Sequence, residues 1–166
     1  MKHFQRTILT IEALEDRYAP ATLVNATTLT YQDSDGDNVT VTLSNPLLTA
    51  ANVDAIFVFD TGNVNGDNSV RQQLRDINLL GLGAAANGTS ITTTATRSAA
   101  NGGDGFAALG EIVATDIDLG KVKIDGDLGR ILAGDANQAT TGLQLLKVHS
   151  LGRFGTTTGA KNLNSV

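Results

Sequence analysis

A chain of 166 residues with 18 glycines, no cysteine and only 4% aromatic residues is long enough for one packed domain, but it lacks the bulky rings that fill an ordinary enzyme core. Its net charge of −5 argues against nucleic-acid binding, which needs a basic face. The absence of cysteine excludes disulfides, thiolate metal sites and a cysteine nucleophile, and no apolar run reaches the roughly 18 residues of a membrane-spanning helix.

Residues 1–23 read as a separate N-terminal, targeting-like segment. Lys2, His3 and Arg6 make it basic, but Ile8-Leu9-Thr10-Ile11 is shorter than the roughly 7–15 apolar residues of an ordinary secretory signal. Ile11, Leu14 and Tyr18 sit at helical spacing, and Pro20 ends that turn because it disfavours the α conformation at Ala19. Leu14, Glu15, Asp16, Arg17, Ala19 and Pro20 also resemble the N-terminal LE[PD]R…AP motif of large planctomycete secreted and surface proteins. The resemblance implies an exported, β-rich body located outside the cell or on its surface.

From Thr22 the pattern is that of β structure, and residues 24–154 are expected to form one β-rich domain. Thr28–Tyr31 and Val39–Leu43 alternate apolar residues with threonine, the period-2 signature of half-buried strands. The linking segment, residues 32–38, carries Asp35-Gly36, a strong hairpin signal. The same loop places Asp33, Asp35 and Asp37 at i, i+2 and i+4, so a curled loop could converge three hard oxygen donors on a calcium ion. It does not follow an EF-hand, whose glycine stands sixth and whose last acid stands twelfth; here the twelfth residue is Ser44. Both readings, a plain turn and a calcium loop, remain open on the sequence.

Asn45-Pro46 breaks the second strand, and Leu47–Val53 reads as a helical turn or an irregular link. Ala55–Phe59 is the most apolar run and predicts a buried strand. Residues 63–80 resemble a dockerin calcium loop at Asn63, Asn65, Asp67 and Val70, but the twelfth position is Leu74 and Asp76 comes two residues late. A turn followed by a short helix or strand accounts for it better, and periodicity does not decide which of the two Gln72–Leu80 forms. Leu82–Asn87 reads as a small-residue linker, and Thr89–Arg97 as a strand. The glycines of residues 101–105 have no Lys-Ser/Thr pair after them, which rules out a phosphate loop.

The most organised stretch is Leu119–Asp135, LGKVKIDGDLGRILAGD. A Leu-Gly-basic unit begins at 119, 128 and 151, steps of 9 and 23 residues. The second step approaches the length of one coil of a stacked β-solenoid, in which short strands alternate with glycine turns and each coil buries its face against the next. Gly126-Asp127 is expected to turn the chain. This half resembles the β-helical bodies of the same planctomycete surface proteins, which implies the first coils of a right-handed parallel β-helix from about residue 110. Stacked repeats need about three copies, so the chain reads as the N-terminal part of a longer array, or a truncated one, with an uncovered strand edge open to self-association. Residues 155–166 form a Gly/Thr/Asn tail.

No catalytic residues are expected. His3 lies in the N-terminal segment and His149 on an exposed strand face. Asp116, Asp118, Asp125, Asp127 and Asp135 follow one another along the coils, where acids belong at turns. The expectation is therefore an all-β, non-catalytic, exported structural or interaction module of a cell-surface protein, with calcium at Asp33, Asp35 and Asp37 as its one candidate cofactor. Its partner would be an envelope or extracellular protein or polysaccharide. The alternative is a carbohydrate-active β-helix enzyme or its inactive remnant. That would place two acids, or an acid and a base, in one groove on neighbouring coils.

Overall fold

A computed structural model describes residues 21–61, 64, 71–99 and 102–166. The motif at Leu14–Pro20, the helical reading before it and His3 lie outside the described residues, as do Asn63, Asn65, Asp67 and Val70 of the dockerin-like stretch.

The threonine-rich alternation forms an antiparallel meander of β1 (Thr22–Asn25), β2 (Thr28–Gln32) and β3 (Asn38–Leu43). Leu29 pairs with Val41 and both are fully buried, while Thr28, Thr30, Thr40 and Thr42 lie on the wetter face. The period of 2 thus sorts apolar from polar residues across the sheet. After Pro46 the chain makes one helical turn, α1 (Val53–Ile56), and then β4 (Phe57–Phe59). The strand expected over 55–59 therefore starts only at Phe57. Ala55 and Ile56 donate their N–H groups back to the Asn52 carbonyl, which keeps the segment helical. β5 (Leu74–Asn78) settles the helix-or-strand ambiguity, because it lies between β4 and a later strand. The expected linker is a tight 3₁₀ segment, Leu80–Ala86, followed by β6 (Ile91–Thr96), which is antiparallel to β3.

The last three strands are β7 (Leu109–Thr115), β8 (Leu119–Gly134) and β9 (Leu143–Leu151). Among the described residues nine strands join one sheet in the order β1-β2-β3-β6-β8-β7-β5-β4, with β9 also on β8, and the sheet curls as a half-barrel. The protein is all-β, as its composition suggests. From β6 onward the pairings with β8 are parallel, as is β5 with β7. The core includes Leu29, Val41, Phe57, Leu74, Ile77, Ile91, Ile112, Val122 and Leu128 of the sheet together with Val53 and Ile56 of α1. Tyr31 and Phe59 meet edge to face at 5.1 Å.

β8 is 16 residues long and runs straight through Gly126-Asp127. The turn expected there does not form, because both sides of this point are already paired. The first half of β8 lies between β6 and β9, and the second half pairs with β7. At the junction Ala107 donates its N–H to the Asp125 carbonyl at 2.9 Å. The register against β9 slips by one residue between Ile124 and Asp127, so the irregularity becomes a bulge in the sheet.

Two of the three Leu-Gly-basic units, at 128 and 151, join a ladder with the Leu-Gly pair at 109, while the unit at 119 lies on the same strand as 128 and its Leu119 pairs with Leu143. Leu109 pairs with Leu128, and Leu128 with Leu151, across β7, β8 and β9, so the 23-residue step in sequence is one lateral step in the sheet. The glycines let neighbouring backbones close up. A Cβ on Gly129 would lie 2.5 Å from the Gly110 carbonyl oxygen, and one on Gly110 would lie 2.3 Å from that of Arg75.

Residues 152–166 pack back on the sheet. Val166 donates to the Ile131 carbonyl and accepts from Ala133, lining the second half of β8. Beneath this segment Asp76, Glu111 and Arg130 stand side by side on β5, β7 and β8. Arg130 pairs with Glu111 in a buried salt bridge, and Asn162 Oδ1 and the Lys161 N–H complete its surroundings.

A Cβ on Gly126 would meet the Ala107 carbonyl oxygen at 2.0 Å, whereas one on Gly81 would meet nothing within 4 Å. Gly126→Ala should therefore cost about 1–3 kcal/mol in a urea melt. Gly81→Ala should stay within about 0.5 kcal/mol of wild type.

Candidate functional site

The hairpin loop between β2 and β3 folds around its own carboxylates. Asp33 Oδ1 accepts N–H bonds from Gly36 at 3.0 Å and Asp37 at 2.7 Å, and Gly36 takes a positive φ of 109° that glycine adopts without strain. Asp37 reaches across to the loop after β6, where its Oδ1 accepts from Ser98 N–H at 2.8 Å and its Oδ2 from Gly105 N–H. A Cβ on Gly103 would sit 1.8 Å from Asp37 Oδ1, so this close approach needs glycine. Asp35 Oδ2 accepts from Asp104 N–H at 3.2 Å. Asp33 thus orders its own hairpin, while Asp35 and Asp37 clasp it to the loop after β6, a role the sequence spacing did not reveal.

One oxygen from each of Asp33, Asp35 and Asp37 lies within 4.8 Å of the others. Asp35 Oδ1 is buried and has no hydrogen-bond partner. Burial, and then the adjacent Asp35 carboxylate, push Asp33 up to about 7. Three convergent carboxylates, one with an orphaned oxygen, fit a hard metal ion, which would relieve the like-charge crowding.

The same hairpin tip forms one wall of a cavity of about 320 Å³. Phe106 and Asp104 line it from the loop before β7, His149 from β9, and Arg153 and Phe154 from the turn that follows. His149 Nε2 is 2.8 Å from Asp125 Oδ1 on the neighbouring strand, and its ring meets Phe106 edge to face at 4.5 Å. Arg153 lies 5.5 Å over the Phe154 ring.

The aspartates of the Leu-Gly region have separate fates. Asp127, expected to be solvated at a turn, is 3% exposed. It accepts from Ser150 Oγ at 2.6 Å, Arg153 N–H at 3.0 Å and Phe154 N–H at 3.4 Å, and so fixes the turn that presents Arg153 and Phe154. Because β8 does not turn at Gly126, Asp127 points at β9 and its following loop instead of at water. Asp125 stays half-exposed and faces His149, which is exposed as expected for its strand position. Asp135 does sit at a turn, accepting from Asn137 N–H at 2.8 Å. Asp116 carries a φ of +62° at the corner between β7 and β8.

No family model matches the chain, and no curated protein or solved structure matches it significantly.

The raised Asp33 gives a signed pH dependence. Its folded-state value lies above the ordinary 3.8, so its contribution favours the fold most below pH 4 and fades as pH rises through 7. In chelator, Asp33→Asn should gain a few degrees in Tm relative to wild type between pH 5 and pH 8, read by circular dichroism. A constant difference across that range would show that Asp33 ionises freely.

Proposed function

We propose that this chain is a non-catalytic, exported structural or interaction module of a cell-surface protein, and that β5 to β9 begin a right-handed parallel β-helical stack. The Leu-Gly ladder carries this reading. Leu109 and Leu128 are 1% and 0% exposed, whereas Leu151, the register partner of Leu128 on β9, is 51% exposed. Among the described residues β9 pairs only with β8, which leaves its outer edge with free backbone groups, and Leu145 beside it is 41% exposed. An edge of this kind accepts another strand. A further rung, from more of the same repeat or from a second copy, would cover Leu151 as Leu128 is covered. The likeness of Leu14–Pro20 to the planctomycete motif supports export and an extracellular or cell-surface location.

Calcium is the cation proposed for Asp33, Asp35 and Asp37. The donors are all carboxylate oxygens, the ligand type that calcium takes in numbers and zinc does not. The ion would stiffen the hairpin that also clasps residues 98–105.

A carbohydrate-active enzyme is favoured by one observation, the Asp125–His149 pair on neighbouring strands beside a cavity. The other acids of the cavity are committed to structure: Asp127 to three donors, Asp33 and Asp35 to backbone N–H groups of the hairpin and its clasped loop, and Asp104 to Phe106 N–H. This cavity is therefore read as a binding site.

Two measurements test the proposal. Millimolar calcium should raise Tm over chelator, by an amount corresponding to about 2.7 kcal/mol at a hundredfold excess over Kd. Asp35→Asn should shrink that gain, and an unchanged midpoint in the wild type would remove calcium from the account. In sedimentation velocity, the wild type should associate with rising concentration or bind a labelled peptide copying residues 119–131. Leu145→Lys with Leu151→Lys should abolish both without lowering Tm. A wild type that stays monomeric and ignores the peptide would refute the open-edge reading.

A further inference from the structure

We propose that the cavity beside the Asp-rich hairpin binds a neutral saccharide, so that the interaction module is glycan-binding; this rests on the non-catalytic reading above. The first support is where the aromatic residues lie. Among the described residues, Tyr31, Phe57 and Phe59 are 1–6% exposed in the core, while Phe106 and Phe154 are each 46% exposed. Both exposed rings line this one cavity. Exposed aromatic surface gathered in one concavity needs a ligand with apolar faces of its own, and the C–H faces of a pyranose ring supply them.

The second support is the polar lining. Asp35 and Asp104 stand on the hairpin side and Arg153 and His149 on the β9 side, so the wall carries both signs of charge. A cationic ligand would meet Arg153, and an anionic one would meet the carboxylates. A neutral ligand with adjacent hydroxyls suits both, donating to carboxylate oxygens and accepting from the guanidinium. Asp125 holds His149 by Nε2, which fixes the ring and leaves Nδ1 as its other hydrogen-bonding atom.

The third support is that the geometry is held in place. Asp127 secures the turn carrying Arg153 and Phe154, and Asp37 secures the loop leading to Asp104 and Phe106. A site built this way is ordered before the ligand arrives, which lowers the cost of binding. At about 320 Å³ it lies at the small end of ligand cavities, room for one or two sugar rings rather than a long chain.

The test is calorimetric titration of the full chain, in calcium, with cellohexaose and maltohexaose as neutral probes. Hexagalacturonate and a chitosan hexamer serve as the anionic and cationic probes. At least one neutral probe should bind, with Phe106→Ala weakening it about tenfold or more and Phe106→Tyr largely preserving it. Lys121→Ala, away from the cavity, should leave binding unchanged. Failure of both neutral probes, preference for either charged probe, or binding indifferent to Phe106→Ala would each overturn the proposal. Phe106→Ala should not alter association through β9, so a lost sugar site and a failed stacking edge are told apart.

Discussion

The structure depends on β8 having neighbours along its whole length on different strands. Sixteen residues of continuous strand give the antiparallel meander, through β6, and the parallel β5–β7 unit a shared backbone. Neither half-sheet is large enough to bury both faces by itself, and the curl of the combined sheet creates the concave core. The glycines at 110, 126 and 129 serve this arrangement, since each lets a second backbone pass where a side chain would stand. The low aromatic content follows from the same constraint, because tightly spaced backbones leave room for Leu, Ile and Val between them but for few rings.

Buried carboxylates do the work that side-chain packing does in a richer core. Asp37 and Asp127 are 0% and 3% exposed, and each satisfies N–H groups of a loop that the sheet cannot pair. Leaving those donors unpaired would cost about 1–3 kcal/mol apiece. Glu111 and Arg130 neutralise each other under residues 158–162, and burial with the nearby Glu111 pushes Asp76 up to about 6. This packing ties the C-terminal segment to the strands it covers. The acids are thus distributed as anchors for loops, and the cavity beside the hairpin exists because two of those loops are anchored facing each other.

The stack reading and the saccharide reading use different surfaces. The first concerns the free edge of β9 and the exposed Leu151. The second concerns the loops at the end of β9 and the hairpin tip. Asp127 serves neither surface directly, because its carboxylate is committed to Ser150, Arg153 and Phe154.

Much of the secondary structure was legible in the amino-acid sequence, because period-2 alternation at 28–31 and 39–43, and β-branched residues at 91–96, leave the backbone little choice. The spacing of Asp33, Asp35 and Asp37 also marked a cluster of carboxylates that does converge. Of the Leu-Gly units at 119, 128 and 151, those at 128 and 151 are register partners, whereas the unit at 119 pairs with Leu143, which starts no such unit. Tertiary structure alone decided the rest. Whether Gly126-Asp127 turns depends on what lies beside it, and strands distant in sequence supply both neighbours. Whether 72–80 is helix or strand was settled by the free edges of β4 and β7. The meeting of Phe106, His149 and Phe154 in one cavity could not be read from residues 43 and 5 positions apart, because the loops that bring them together are held by carboxylates whose partners lie 26 to 68 positions away. Local pattern fixes which residues extend and which face water; the long-range hydrogen bonds that orient loops leave no period in the sequence.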